Sequence, residues 1–294
     1  NKISIQFGPV TCIVLNPNEY IDEILNTELS YRPEGYFFSP RYQSGGWDGY
    51  SRLYSIAKHC FRSGLLNQAV EKLQSEGYDV EVRGFPSPKP FIQRSSTYEL
   101  RPYQKQAVES ICRERFGLIK APVRSGKTMM FMATVDSERL FPAVFFCRSI
   151  DLSIQTVARI REFLPSVSVG LIGDGSLGIG EVTVITIQSA FSAYGARYES
   201  SSKNEKLEKP VEDKKLVKNL INNAQIVFYD EVHHLISKTS KFVLDKCVKT
   251  CMKIGLSATP FSGKEEDILV RGGIGPVIEE IGWSELIREG FVLR

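Results

Sequence analysis

One segment of the chain has the residue types and the spacing of a phosphate-binding loop. An apolar run at 117–120 predicts a strand, a helical pattern begins at Lys127, and Gly-Lys-Thr lies where the two meet. In such a unit, backbone N–H groups and the helix N-terminus attract phosphate. Lys127 is then placed to reach the β- and γ-phosphates, and the Thr128 hydroxyl to hold Mg²⁺. The alternative is a chance turn. We expect ATP and Mg²⁺ at a loop made of Ala121, Pro122, Val123, Arg124, Ser125, Gly126, Lys127 and Thr128.

A pair of carboxylates follows another predicted strand. The apolar run 226–229 ends in Asp230 and Glu231. The carboxyl end of a parallel strand lies beside the phosphate loop, where the ligands of such sheets bind. We expect Asp230 to hold Mg²⁺, and Glu231 to orient and deprotonate the attacking water. An acidic turn that caps a strand is the alternative for this segment alone, but together the two segments predict an ATPase site.

The elements that must position these residues follow from the apolar pattern. Strands are predicted at 118–120, 143–147, 167–171, 182–185, 226–229 and 253–256. Helices are predicted at 102–115, 127–135, 151–163 and 214–222. This alternation predicts an α/β fold with a mostly parallel sheet and helices on both faces. The stretch 198–218 is dense in Ser, Lys and Glu, and we expect a solvated insertion there, a loop rather than a functional tail.

A proline-rich stretch divides the chain. Residues 85–97 contain three prolines followed by serines, a composition that disfavours helices and central strands and indicates a stiff linker. We therefore expect a small α+β domain at 1–84 and a larger domain at 98–294. The small domain should contain a helix that ends at Gly77, then a strand at 78–82. The apolar face of that helix is predicted from Leu65, Leu66, Ala69 and Leu73.

The composition limits which kinds of binding partner can be expected. The net charge of +3 is too small to indicate a polyanion partner, so partners must be inferred from local residues. No apolar run approaches the ~20 residues of a membrane span, and no membrane partner is expected. The first residues lack a secretory pattern, which favours a cytoplasmic location.

The six cysteines do not form an evident pairing pattern. Cys247 and Cys251 have the spacing of half a metal site, but no second pair completes it. We expect these two to be buried helix thiols in a reducing compartment.

Three short motifs resemble those of superfamily 2 helicases. The sequence DEVH at 230–233 resembles the DExH box, SAT at 257–259 resembles the family's S-A-T motif, and LRPYQ at 100–104 resembles its L-R-x-Y-Q element. The likeness covers about 98–294, which implies a RecA-like lobe with a second lobe in the full-length chain. It implies nucleotide contacts by Arg101 and Gln104, with the glutamine reading adenine. It also implies coupling between nucleotide and nucleic acid through His233, Ser257 and Thr259.

Two further segments resemble elements that contact the nucleic-acid backbone in this family. They lie at 147–155 and 186–189, and they contain Arg148, Thr186 and Gln188. Each of these side chains can donate to a phosphate oxygen. Each is equally explained as a loop polar group that is satisfied within the protein.

The segment 31–62 mixes aromatic and basic residues, and its stretch 39–49, which ends in Trp-Asp-Gly, resembles a K/R-x-W-D-G segment of UvsW-type phage helicases. Rings can stack on bases while arginines pair with phosphates, so Arg41, Trp47 and Arg52 are candidate nucleic-acid contacts. The alternative is that a small domain needs large rings for its core. The aromatic residues are Tyr31, Tyr36, Phe37, Phe38, Tyr42, Trp47, Tyr50, Tyr54 and Phe61.

Together these features predict the N-terminal part of an ATP-dependent DNA helicase or translocase that remodels branched or duplex DNA. The expected setting is the cytoplasm of a phage-infected bacterial cell, and this part alone should hydrolyse ATP poorly. A restriction-type DNA translocase subunit is one alternative. An ATP-gated nucleic-acid-binding module without turnover is another.

Overall fold

The computed structural model describes residues 2–195, 211–283 and 286. Residues 2–83 form a five-stranded sheet in the order β5-β6-β2-β1-β7, plus a separate two-stranded pair, β3-β4. The helices of this part are α1 (Glu19–Glu28), α2 (Pro40–Gln43) and α3 (Leu66–Ser75). The strands are β1 (Lys2–Gln6), β2 (Thr11–Val14), β3 (Ser30–Tyr31), β4 (Ser51–Arg52), β5 (Tyr54–Ser55), β6 (Cys60–Arg62) and β7 (Asp79–Arg83).

The helix and strand predicted in this part are confirmed. In α3 the buried side chains are Leu66, Ala69 and Leu73, with Leu65 buried just before its start. Gly77 has φ +85°, a left-handed conformation that glycine adopts without steric cost, and the chain turns there into β7. The strand begins one residue later than predicted.

The rest of the described chain forms an eight-stranded sheet in the order β11-β10-β12-β9-β13-β14-β8-β15, parallel except for the β10–β11 pair. Its strands are β8 (Phe116–Lys120), β9 (Ala143–Cys147), β10 (Val169–Gly173), β11 (Ser176–Leu177), β12 (Val182–Thr186), β13 (Ile226–Asp230), β14 (Met252–Ser257) and β15 (Val277–Glu280). The helices are α4 (Pro102–Glu114), α5 (Lys127–Glu138), α6 (Ile150–Phe163), α7 (Ile187–Ala193), α8 (Val211–Asn223), α9 (Lys238–Leu244) and α10 (Asp267–Ile274).

Helices cover both faces of this sheet, so the predicted α/β class is confirmed. Along β9 the side chains alternate between two apolar cores: Phe145 belongs to the core with α4 and α5, and Phe146 to the core with α7 and α8. Both residues are almost fully buried. A strand that is apolar on both sides is typical of a parallel sheet covered on two faces.

Two predicted elements differ from the structure. The strand predicted at 167–171 lies at Val169–Gly173, because Val167 is buried in the core before the strand starts. Of the segment predicted as a loop at 198–218, residues 198–210 lie outside the described residues, and 211–218 are helical. The helix predicted at 214–222 is confirmed as α8, which is described from Val211 and whose apolar face buries Val217, Leu220 and Ile221.

Residues 84–101 contain no helix or strand, and several contacts hold them against both parts of the chain. Phe85 packs edge-on against Phe7, with ring centroids 4.7 Å apart. The buried Asp136 carboxylate accepts from the backbone N–H groups of Arg94 and Ser95, both at 2.8 Å. The division into domains at 1–84 and 98–294 stays a prediction.

The cysteine prediction is partly wrong. Cys247 is fully buried, but neither Cys247 nor Cys251 lies in a helix; both follow the end of α9. Within the described residues there is no group of three or more metal-ligating side chains, and no helix is long and apolar enough to cross a membrane.

Candidate functional site

Three neighbouring strands bring the predicted chemical residues to one edge of the large sheet. The order β13-β14-β8 places the ends of these strands side by side. The phosphate-loop segment follows β8, Glu231 follows β13, and Ser257 ends β14. The sequence reasoning placed the carboxylates beside the loop at the carboxyl ends of parallel strands, and the structure agrees, with the end of β14 between them.

The loop before α5 has a backbone that only certain residues adopt without strain. Arg124 and Gly126 have positive φ of 69° and 84°. A Cβ added at Gly126 would lie 2.2 Å from Nε2 of Gln104, so a side chain there would displace this amide. Because glycine accepts both the conformation and the close approach, the loop can curve around the start of α5.

The LRPYQ element holds this loop in place. Gln104 Nε2 and the Tyr103 hydroxyl donate to the carbonyl of Ser125 at 2.9 and 3.1 Å. Gln104 Oε1 in turn accepts from the backbone N–H of Arg101 at 3.0 Å, at the start of α4. Gln104 therefore joins the first turn of α4 to the loop, a structural role that its sequence motif did not predict.

The acidic and basic side chains meet across the site. Lys127 Nζ lies 3.1 Å from Glu231 Oε1, and the Ser257 hydroxyl donates to Glu231 Oε2 at 3.2 Å. His233 Nδ1 is 3.2 Å from the same hydroxyl and 3.3 Å from Glu231 Oε2. Ser257 also accepts from the N–H of Thr259 at 3.3 Å. One carboxylate thus connects the loop, the DEVH sequence and the SAT motif.

Two observations fit a bound phosphate and cation here. The Ser125 hydroxyl is fully buried and has no hydrogen-bond partner among the described residues. Burial raises the pKa of Asp230, with the neighbouring Glu231 adding to the effect and Lys127 opposing it. A bound cation stabilises the ionised form of a carboxylate whose pKa is raised by burial and by a neighbouring negative charge. Thr128 is the second residue of α5 and is half-buried.

The remaining loop residues divide between core and solvent. Ala121 is buried in the core against α5, and Pro122 is also buried. Val123 and Arg124 are exposed at the rim of the loop.

The side chains predicted to contact a nucleic-acid backbone lie at the ends of β9 and β12. Arg148 is exposed, and its guanidinium lies 2.7 Å from His234 Nε2. Thr186 is buried, and its hydroxyl caps α7 by accepting from the N–H of Ser189 at 3.3 Å. Gln188 is exposed.

The sequence did not indicate a role for His234, because the DEVH motif ends at its neighbour His233. Burial lowers the pKa of His234, and the charges of His233 and Arg148 lower it further. The imidazole is therefore neutral near pH 7 and can accept from the Arg148 guanidinium. No local pattern could have indicated this contact, because the two side chains lie on different strand ends.

The candidate contacts in the first part of the chain have different surroundings. Arg41 is exposed on α2. Trp47 is half-buried, and its Nε1 donates to the carbonyl of Tyr50 at 2.8 Å. Arg52 donates to Asp48 Oδ1 at 2.9 Å, and this contact lowers the pKa of the Asp48 carboxyl to about 2. Of the aromatic residues at 31–62, only Tyr54 and Phe61 are buried in the core.

Comparisons with known proteins agree with this geometry. A family model for the type III restriction enzyme res subunit matches residues 97–262. The DNA 3'-5' translocase XPB2 of Sulfurisphaera tokodaii is 25% identical over 254 residues, which cover 86% of this chain and 51% of the relative. Putative helicase 22 of a Sulfolobus islandicus filamentous virus is 27% identical over 228 residues, covering 74% of this chain and 35% of the relative.

Among solved structures, the UvsW helicase from bacteriophage T4 is similar with a TM-score of 0.72 and 18% identity, covering 95% of this chain and 100% of that one. At this identity the likeness shows the fold. The chain spans about half the length, or less, of the curated relatives, 51% and 35%. The family match covers more than half of the chain and contains the loop, the DEVH sequence and the SAT motif. The chain therefore belongs to the family of the type III restriction enzyme res subunit, and its predicted membership of the superfamily 2 helicases is confirmed.

Proposed function

We propose that this chain carries the ATP-binding lobe of an ATP-dependent DNA helicase or translocase. The observation that supports this most strongly is the contact of Lys127 and Ser257 with the two oxygens of Glu231, at 3.1 and 3.2 Å. A lysine from a phosphate loop, a carboxylate and a serine from the next strand ends are the parts that phosphoryl transfer to water requires.

The nucleotide phosphates would lie against the curved loop and the first turn of α5. The leading N–H groups of a helix have no acceptor within it and attract anions, and here the loop formed by Arg124, Ser125 and Gly126 leads directly into that first turn. Lys127 would contact the terminal phosphates, while Thr128 and Asp230 would hold Mg²⁺. A bound Mg²⁺ supplies positive charge that stabilises the phosphates during transfer. Contact of Gln104 with adenine stays a prediction.

The ion pair between Lys127 and Glu231 gives the site a simple order of events. A phosphate oxygen at the loop competes with the carboxylate for the Lys127 ammonium. Glu231 then becomes available to accept a proton from the attacking water. The Ser257 hydroxyl, which donates to Glu231, holds this carboxylate in place. Lys127 thus stays ion-paired with Glu231 until a nucleotide phosphate binds the ammonium instead.

Coupling to nucleic acid would use the histidines that follow Glu231. His233 contacts Ser257, and His234 contacts Arg148 at the neighbouring strand end. Movement of Glu231 therefore reaches Arg148 through adjacent residues. We propose that Arg148 and Gln188 donate to phosphates of the nucleic acid, with Thr186 fixing the start of α7 beside them.

DNA is the proposed substrate because the relative from Sulfurisphaera tokodaii is named a DNA translocase. The family match also supports a restriction-type translocase as a second candidate. The two differ in whether a nuclease accompanies the motor.

The test is ATP hydrolysis by the full-length enzyme with and without DNA. Glu231→Gln removes the base, and we expect turnover to fall by about 10²–10⁴-fold. Lys127→Ala should abolish turnover, while the control Glu181→Gln, which changes an exposed acid bonded to Ser168, should leave it unchanged. The proposal would be contradicted if Glu231→Gln hydrolysed ATP at the parental rate, or if the parent hydrolysed ATP at the same rate with and without DNA.

A further inference from the structure

The side chains of two neighbouring phenylalanines in the first part of the chain are exposed to solvent. Phe37 and Phe38 belong to a short 3₁₀ turn, and they are 51% and 74% exposed. Their ring centroids lie 4.4 Å apart, so the rings present one continuous apolar surface. Single exposed apolar side chains are common on protein surfaces, whereas adjoining ones that form a patch indicate a binding site. We call these two residues the aromatic tip.

The aromatic tip stands on a rigid base of other rings. Tyr36 packs edge-on against both Phe37 and Tyr42, with centroid distances of 5.6 and 4.9 Å. The turn that contains Trp47 brings Gly49 beneath this base. Gly49 has φ +84°, and a Cβ there would lie 2.8 Å from the Tyr36 ring. The Trp-Asp-Gly sequence therefore supports the tip.

The base is also fixed to the segment between β14 and α10. The backbone N–H of Arg32 donates to Glu265 at 2.6 Å, and that of Glu34 donates to Glu266 at 2.9 Å. Lys264 Nζ lies 2.5 Å from the Glu34 carboxylate. These contacts join the turn just before the aromatic tip to residues that follow the SAT motif. The tip is thus positioned by the same lobe that carries the candidate nucleotide site.

The carboxylates near the tip are all engaged, and those of Glu265 and Glu266 accept from the backbone N–H groups described above. The Glu34 carboxylate is paired with Lys264, and the Asp48 carboxylate with Arg52. Arg41 is exposed on α2, which directly follows the tip, and Gln43 of the same helix donates to the Phe37 carbonyl at 3.2 Å. Among the described residues the Arg41 guanidinium has no hydrogen-bond or ion-pair partner, and an apolar platform followed by such a guanidinium in the next turn matches a base with its phosphate.

We propose that the aromatic tip stacks on an unpaired base of DNA at the boundary between single strand and duplex. Arg41 contacts the adjoining phosphate, while Trp47 and Arg52 hold the tip without touching the base. This inference rests on the proposed function and deepens it by naming the DNA feature that is recognised. Two rings held in place lose little conformational entropy when a base stacks on them, which favours binding.

The test compares two DNAs bound by the 294-residue chain: a fork with 2-aminopurine at the first unpaired position, and a blunt duplex of equal length. The double variant Phe37→Ala/Phe38→Ala should bind the fork about ten-fold or more weakly, because stacking is lost. Its affinity for the blunt duplex, which depends on phosphate charge, should stay unchanged. The parent should alter 2-aminopurine fluorescence and the variant should not.

Two further variants make the result specific. Tyr20→Ala removes an aromatic ring that is 54% exposed on α1 of the same part of the chain, and it should bind both DNAs like the parent. Phe38→Trp keeps a stacking ring and should bind the fork like the parent.

Three outcomes would overturn the inference. If the double variant binds the fork with parental affinity, the tip does not stack, and the proposed function is unaffected. If the parent self-associates through the tip and the double variant does not, as seen by sedimentation, the surface serves a second copy of the chain. If the parent binds neither DNA, the nucleic-acid part of the proposed function fails together with this inference.

Discussion

The nucleotide-site edge of the large sheet and the aromatic–basic segment at 31–62 are built in opposite ways. At the sheet edge, polar side chains from separate strands converge on Glu231, and each was indicated by a short motif. In the aromatic–basic segment, residues of one type serve different purposes: Phe61 is in the core, Trp47 supports a turn, and Phe38 faces solvent.

The difference shows what spacing alone can determine. A phosphate loop works through a fixed local geometry, so its residues must occupy fixed positions. An aromatic ring can fill a core or face a ligand with the same sequence pattern, because its surroundings decide its role. The predictions below test this contrast, from the largest expected effect to the smallest.

Removing a core ring should cost far more stability than removing a supporting one. Phe61 is 1% exposed, and Phe61→Ala should lower the free energy of unfolding by about 3–5 kcal/mol. Trp47 is half-buried, and Trp47→Ala should cost about 1–2 kcal/mol. Denaturant titration measures both values. Equal losses would mean that Trp47 is a core residue and that the contrast within this segment is wrong.

A buried lysine joins the large sheet to the first part of the chain and should make stability depend on pH. Lys253 is fully buried, its ammonium donates to the Pro9 carbonyl at 2.6 Å, and burial lowers its pKa to about 8 from 10.5. Between these pH values the unfolded chain binds the proton and the folded chain does not. The free energy of unfolding therefore increases as the pH rises from about 8 to about 10.5, by about 3 kcal/mol in total, because the cost of burying the charged lysine is lost.

Comparison with Lys253→Met isolates that contribution, because other titrating groups are common to both proteins. The free energy of unfolding of the parent, minus that of the variant, should increase across this pH range. A difference that stays constant with pH would show that Lys253 keeps its ordinary pKa.

Loss of the serine at the sheet edge should impair turnover moderately. Ser257→Ala removes the hydroxyl that donates to Glu231, and hydrolysis by the full-length enzyme should fall by about ten-fold. Ser110→Ala is a matched control, since this buried serine donates to Glu279 at 2.8 Å instead. An equal effect of both substitutions on turnover would point to general destabilisation.

The smallest expected effect separates the two candidate arginines. Arg41→Ala should flatten the salt dependence of DNA binding by about one unit of slope, because one phosphate contact is lost. Arg52→Ala should change it less, since Asp48 already pairs with that guanidinium. Affinities across a salt series decide the matter, and a larger effect at Arg52 would reverse our assignment.

The sequence predicted most of the large sheet, because its strands are continuous apolar runs such as β9 and β13. It also predicted which residues meet at the sheet edge, since parallel strands end on the same side. It did not predict contacts between residues far apart in the chain, such as Arg148 with His234, or Arg32 with Glu265. Those depend on how the elements pack, and no local periodicity carries that information.

Short elements were also hard to predict. The strand β15 contains two glutamates, and it extends the sheet only because β8 offers it a free edge. In the same way, the exposure of the aromatic tip depends on Gly49 and on the acidic residues that follow the SAT motif.

The central claim is that Lys127 exchanges the Glu231 carboxylate for a nucleotide phosphate. The most direct test is Mg-ATP affinity, measured by titration for the parent, Lys127→Ala and Glu231→Gln. Lys127→Ala should bind at least about ten-fold more weakly, because a charge-assisted contact is lost. Glu231→Gln should bind as tightly as the parent or more tightly, since the amide competes less for the ammonium. Parental affinity in Lys127→Ala, or an equal loss in both variants, would contradict this account.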